Sequence, residues 1–176
     1  MHDPDPRILA RAREGDLDAF EELVRTHQAD VYRFARHLTR DSTTAEDVTQ
    51  ETFIRAFRFL RTFRGDCRFS SWLLRIARNC SMDAIRSRNQ RAEREQGGPL
   101  PALIADPVAR TELTEALRAV TEDQREPFLL IEVFGLSYQE AADVLQIKVG
   151  TVKSRMHRAR LAMCEALAVE EDAHGL

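Results

Sequence analysis

Residues 135–160 read GLSYQEAADVLQIKVGTVKSRMHRAR. The stretch divides into two short helical segments around a tight turn. Ser137 and Glu140 stand at capping-box spacing and predict the start of the first segment. Ala141, Ala142, Val144 and Leu145 supply its core face, with small alanines where a partner helix must come close. The turn carries Ile147, Val149 and Gly150, and Thr151 is the expected cap of the second segment. On that segment Val152, Met156, Ala159, Met163 and Ala166 recur at three- and four-residue steps and are expected to pack inward. Lys153, Ser154, Arg155, His157, Arg158 and Arg160 are left outward. A helix-turn-helix whose second helix is this cationic suits the major groove of DNA. Its lysines and arginines can neutralise phosphates, Arg can fork onto guanine, and Ser can reach base edges. The competing reading is a helical hairpin with a solvated basic face. His157 on a polar face fits water as well as it fits DNA.

Upstream, nearly every strong periodicity is helical, and no alternating strand pattern or internal repeat is present. Asp18 with Glu21 predicts the start of DAFEELVRTHQADVYRFARHL, whose apolar positions are Phe20, Leu23, Val24, Val31, Phe34, Ala35 and Leu38. Thr43 with Glu46 predicts the start of TAEDVTQETFIRAFRFL, with Val48, Phe53, Ile54, Phe57 and Leu60 as its buried stripe. TFRGDCR follows, with Gly65 as the break. FSSWLLRIARNCSMDAIRSR is the next helix. Phe69, Trp72, Leu73, Ile76, Cys80 and Ala84 fall on one side of it; Arg75, Arg78, Asn79, Ser81 and Arg86 fall largely elsewhere. QGGPLPALIADP marks a domain boundary. Residues 108–120 could form an amphipathic helix on Leu113, Leu117 and Val120. Thr121 with Gln124 predicts a further helix start at EDQREPFLLIEVF, where Pro127 removes a donor and would bend the first turns.

Charge distribution says more than the net value of −3. Residues 1–54 carry −5, whereas 55–94 carry +8 from 11 arginines against 3 acidic residues. Residues 95–127 and 128–150 are acidic again, at −4 and −2, and 151–161 return to +4 before a tail of −4. Two basic islands on patterned helices in an acidic chain are the electrostatic footprint of a polyanion binder. The first island interleaves its arginines with Phe57, Phe59, Phe63, Phe69 and Trp72, a combination that suits unstacked single-stranded bases. Core packing competes for Phe57, Phe69 and Trp72. Phe63 and Arg64, flanking the Gly65 loop, are the ones expected at the surface.

Hydrophobic content of 43% supports a real core, and no apolar run approaches a membrane span. No secretory h-region opens the chain, so a cytoplasmic protein without membrane insertion is expected. Cys67, Cys80 and Cys164 form no CxxC pair and no metal-ligand spacing; reduced thiols are the default reading, with Cys67, in a loop, the candidate for a redox or metal role. Nucleophile elbow, phosphate-binding Gly loop, HExxH motif and paired carboxylates are all missing, and the histidines do not cluster. An enzyme, a cofactor and a metal site are therefore not expected. A stand-alone helix-turn-helix regulator is the rival binding function, but it calls for a sensor pocket or phospho-acceptor domain that no motif supplies.

Four motifs in order, AEDVTQETFIRAFRFL, FRGDCRFSSWLLRIARNCSMDAIR, LSYQEAADVL and VGTVKSRMHRAR, resemble the bacterial extracytoplasmic-function (ECF) sigma factors, small sigma-70 relatives that keep only regions 2 and 4. The resemblance covers about residues 8–94 and 115–167. It implies an all-α chain of two small helical domains: region 2 at 8–94, a flexible linker at 95–114, and region 4 at 115–170. A 20-residue linker reaches at most ~70 Å and as a coil averages ~25 Å, so two domains can straddle separate promoter elements.

By position, the resemblance places Asp47, Gln50, Glu51 and Arg55 on the surface that docks on the polymerase β′ clamp, with the β flap as a second polymerase contact. It places Phe63, Arg64, Gly65, Asp66, Cys67 and Arg68 in the loop that captures a flipped base of the −10 element. Arg75, Arg78 and Asn79 lie on the helix that tracks the single strand. Thr151, Lys153, Ser154, Arg155, His157 and Arg158 match the −35 recognition helix. Lys153 stands where the family often has Arg, and a lysine offers no bidentate fork, which implies a shifted −35 preference. Cys67 replaces a commoner small polar residue, with the same implication for the −10 element. The implied partners are core RNA polymerase, duplex and single-stranded promoter DNA, and an anti-sigma factor; the free chain is expected to be a monomer. No C-terminal sensory domain is expected after the recognition helix.

Overall fold

Aspartates set the first three helix starts. In the computed structural model, which describes residues 1–94 and 120–174 (side chains of 1–91 and 120–165), α1 spans Pro6–Glu14. Pro6 fits the first turn, where no donor is needed, and Asp5 accepts from the Arg7 amide at 2.7 Å. Gly15 ends α1 at φ +102°, the left-handed conformation that lets its amide return to the Ala12 carbonyl. Asp16 then caps α2 (Leu17–Thr39) through the Ala19 amide at 3.1 Å. Arg40 at φ +56° ends α2, and Asp41 caps α3 (Ser42–Phe59) through the Thr44 amide at 2.6 Å. Both caps lie two residues before the predicted ones. Asp18 and Thr43 are already inside the helices, because the linking turns are only one or two residues long and the first extended residue after each takes the role. A 3₁₀ turn, Leu60–Thr62, leads into the loop before α4 (Phe69–Arg94).

α2, α3 and α4 pack on one another, with α1 laid against α2 and the 3₁₀ turn. Leu23, Val31, Phe34, Ala35, Leu73, Leu74 and Ala77 are almost wholly buried, and Cys80 joins Ala35, Ala45 and Val48 in one cluster. On α3 the face against the core is Ala45, Val48, Thr52, Phe53, Ala56 and then Leu60. This corrects the predicted stripe: Ile54 and Phe57 are 47% and 45% exposed. Small residues let the neighbouring helices approach, and that close approach, not side-chain size, chose the buried face. Phe57 instead meets Phe20 edge to face at 5.0 Å. Ser81 is also buried, contrary to expectation, and satisfies its hydroxyl on the Ala77 carbonyl at 2.8 Å. Thr39 and Thr52 do the same on Ala35 and Val48.

The chain divides into two compact units, Met1–Ile104 and Ala105–Leu176. In the second, Thr121 precedes α5 (Glu122–Phe128), and its carbonyl accepts from Gln124 and Arg125. Its hydroxyl goes to Asp123 instead of capping the helix. Pro127 cannot donate to the preceding turn, and the helix widens into a π turn at Leu129–Val133. Phe134 donates to Leu129 and Leu136 to Leu130, with Gly135 between them at φ +72°. Phe128, Leu129, Leu130, Phe134 and Leu136 are all buried. α6 (Tyr138–Leu145) opens on the predicted capping box with both arms made, Ser137 Oγ to the Glu140 amide at 3.2 Å and Glu140 Oε2 to the Ser137 amide at 2.8 Å. Gln146 turns the chain at φ +57°. α7 (Val149–His174) follows, starting three residues before the start expected from a Thr151 cap. The Lys148 carbonyl accepts from Thr151 and Val152, so Thr151 lies within the first turn and Gly150 within the helix, and neither serves as cap or turn. Val152, Met156 and Ala159 are buried as predicted and Met163 is half-buried, while Ala166 and the amphipathic pattern of 108–119 lie outside the described side chains. The linker 95–114 also lies outside the described residues. Among those described, every regular element is helical.

Candidate nucleic-acid interface

Three groups of residues from the sequence can be placed. The first is on α3. Asp47 and Gln50 are exposed, and Glu51 is half-buried. Glu51 accepts from Arg55 Nε at 2.6 Å, one helical turn on, and Arg55 reaches Asp83 on α4 at 3.2 Å. Arg55 is therefore a brace between two helices, with Glu51 committed to it and Asp47 exposed. Cys80, near this brace, is an inert thiol: burial pushes its pKa up against the opposing pull of Thr52 and Arg55.

The second group surrounds the loop between the 3₁₀ turn and α4. Arg64, Gly65, Asp66 and Cys67 are exposed, and Gly65 adopts φ +82° with open space around it. Arg64 and Asp66 form an ion pair at 3.2 Å so exposed that it is worth little. Phe63 corrects the expectation of exposure. It is 5% exposed because its amide closes the 3₁₀ turn on the Leu60 carbonyl and its ring packs edge to face with Phe69 at 6.0 Å and tilted against Trp72 at 5.2 Å. Beside this cluster lies a surface cavity of about 350 Å³, at the lower end of ligand-sized pockets, lined by Arg55, Phe59, Thr62, Trp72, Arg75, Ile76 and Asn79. Of the predicted −10 residues it gathers Arg75 and Asn79, but neither Arg78 nor the loop tip. Phe59, Thr62 and Ile76 complete its wall and were not singled out as site residues. Phe59, 53% exposed, was visible in the sequence only as one aromatic among many. Aromatic walls, two guanidinium groups, an amide and a hydroxyl are the chemistry that holds an unstacked base.

The third group is the outer face of α7. Lys153, Ser154, His157 and Arg158 are exposed and share one stripe, opposite Val152, Met156 and Ala159. Arg155 is half-buried and turns towards Asp123 on α5 at 3.5 Å. The Thr121 hydroxyl, ahead of Arg155 and Arg158, holds the Asp123 carboxyl below its ordinary range. Ser154 Oγ donates to the Thr151 carbonyl at 3.0 Å. Arg160, predicted outward, spends its guanidinium on Glu132 at 2.7 Å. Among the described residues no cluster of His, Cys, Asp or Glu could hold a metal ion, and no helix is long and apolar enough to cross a membrane.

Comparison with known proteins agrees with this division. The Sigma-70 region 2 family profile matches residues 23–91, and the Sigma-70 region 4 profile matches 110–163. The RNA polymerase sigma-H factor of Pseudomonas aeruginosa is 35% identical over 93% of this chain and 93% of its own length. The ECF RNA polymerase sigma factor SigC of Mycobacterium tuberculosis is 39% identical over 89% of this chain and 87% of its own. Two solved structures share the fold. CnrH in complex with the cytosolic domain of CnrY has TM-score 0.68 and 31% identity, covering 92% of this chain and 96% of that one. The sigma factor RpoE in complex with the anti-sigma factor NepR, from Bartonella quintana, has TM-score 0.72 and 28% identity, covering 85% and 97%. A region 2 unit with an aromatic, cationic cavity, a region 4 helix-turn-helix and relatives matched along nearly their whole length make this chain a member of the ECF RNA polymerase sigma factors of the sigma-70 family.

Proposed function

We propose that the chain binds core RNA polymerase and directs it to promoters by reading a −35 element as duplex and a −10 element as single strand. The observation that carries this reading is the chemical division between the units. One offers an open cavity of aromatic rings, guanidinium groups and an amide, suited to an unstacked base. The other offers a helix whose exposed stripe of Lys153, Ser154, His157 and Arg158 suits a groove. Asp47 and Gln50, with Glu51 and Arg55 behind them, form the surface proposed for the β′ clamp, and region 4 meets the β flap. The protein acts as a specificity subunit with no catalysis of its own. Since CnrH and RpoE are each captured with a protein partner, RpoE's being an anti-sigma factor, an anti-sigma factor is proposed here too.

Run-off transcription tests the reading. Core polymerase plus this protein on a pool of genomic promoter fragments is expected to give discrete new transcripts, whose aligned start regions yield both elements. No transcripts, with clear duplex binding in the absence of core, would replace it with a stand-alone helix-turn-helix regulator.

A further inference from the structure

α4 carries Trp72 and the cavity residues, yet the residue before it, Arg68, has no side chain able to cap a helix. The Trp72 amide makes the first intrahelical bond, to the Arg68 carbonyl at 3.1 Å, which makes Arg68 the capping position and Ser70 the second helical residue. The Ser70 amide is not left to a local partner. It donates to Oδ1 of Asp3, 67 residues upstream, at 3.0 Å. The other carboxylate oxygen of Asp3 takes Arg68 Nε at 3.3 Å, and the Met1 carbonyl meets the same guanidinium at 3.5 Å. Burial works against the Asp3 charge, but the Ser70 amide and Arg68 outweigh it, and the carboxyl is held below its ordinary range.

We propose that Asp3 is a positioning residue for −10 recognition: it caps α4 from outside and pins Arg68, fixing the end of the 63–68 loop and the first turn that carries Trp72. This rests on the sigma reading above. A negative charge at a helix N-terminus is favourable, and an amide bonded there does not fray. The loop therefore presents its exposed tip, Arg64 to Cys67, from a fixed base.

The test uses the full chain and its holoenzyme with Asp3→Ala, Asp3→Asn and, as a control, Asn79→Ala. Two quantities are read: amide hydrogen exchange at residues 70–73, and affinity for a fluorescent single-stranded oligonucleotide carrying the −10 element found by run-off transcription. Asp3→Ala is expected to speed exchange at 70–73 and to weaken oligonucleotide binding about fivefold, the size of a lost cap, with core and duplex −35 binding unchanged. Asparagine keeps an acceptor for the Ser70 amide but turns an NH2 donor towards Arg68, so Asp3→Asn should fall between Asp3→Ala and the parent in both readouts. Unchanged exchange in Asp3→Ala overturns the proposal. So does faster exchange with unchanged binding while Asn79→Ala still weakens it, and so does a parallel loss of core, duplex and single-strand binding. If Asn79→Ala too leaves the oligonucleotide bound as before, the −10 reading itself falls and takes the proposal with it.

Discussion

His27 lies on α2, 1% exposed, with its ring 5.4 Å from that of Phe69 and neither ring nitrogen meeting a hydrogen-bond partner in the protein. Burial pushes its pKa below the ordinary 6.5; Asp30 and Asp3 pull it up, the terminal amine pushes it down, and burial wins. As pH falls through about 6.5 the unfolded chain takes up this proton before the folded one does. The neutral imidazole's contribution is thus complete above that pH, declines as pH drops towards the folded-state value, and then levels off. Urea unfolding at pH 7.5 and 5.5 is expected to show the parent destabilised at the lower pH and His27→Phe less so; an equal drop in both would place the acid sensitivity elsewhere. Residue-level exposure was the least legible property of the sequence. Phe57 and Phe63 are both aromatic neighbours of arginines, yet Phe57 reaches solvent and Phe63 does not. What separates them is packing of the Phe63 ring against Phe69 and Trp72, and no local pattern encodes it.

At the scale of elements, legibility followed locality. The Ser137–Glu140 box is plain in the sequence, because both partners stand at the spacing the hydrogen bonds need. The starts of α2 and α3 fall two residues before the predicted ones, since Asp16 and Asp41 compete with Asp18 and Thr43 and only the preceding turn decides between them. The contact of Asp3 with Ser70 joins residues far apart in sequence and left no signal at all. Because the box is exposed and complete, it can be measured cleanly. Ser137→Ala is expected to cost about 1 kcal/mol, within a range of roughly 0.5–2. Glu140→Ala should cost less, and the double variant should cost less than the sum, because the two arms belong to one motif. Chemical denaturation of the four chains, followed by circular dichroism, measures the coupling.

At the scale of the whole molecule, the net charge of −3 conceals a division that helix packing makes physical. The apolar stripes turn inward and leave Lys153, His157 and Arg158 on the outer face of α7. The helices were legible in periodicity and the boundary in the Pro/Gly stretch, while the assignment of two domains of this type came with the family resemblance. The cavity was only half legible, because it joins the end of α3 and the 3₁₀ turn to α4 and needs all three in place. Lys153 is exposed, whereas Arg155 is already turned to Asp123, so on the proposed reading Lys153 is the one that would neutralise a phosphate. Holoenzyme binding to duplex −35 DNA should therefore weaken with salt, and Lys153→Ala should reduce the slope of log affinity against log salt by about one. A slope unchanged from the parent would remove Lys153 from the interface. The aromatic cluster has one more consequence. Trp72 is the sole tryptophan of the chain; it touches Phe63 and Phe69 and forms part of the cavity wall. Its emission is thus a built-in optical probe of one site: a base stacking in the cavity would quench it. Binding of a single strand to the free chain could then be followed without a label.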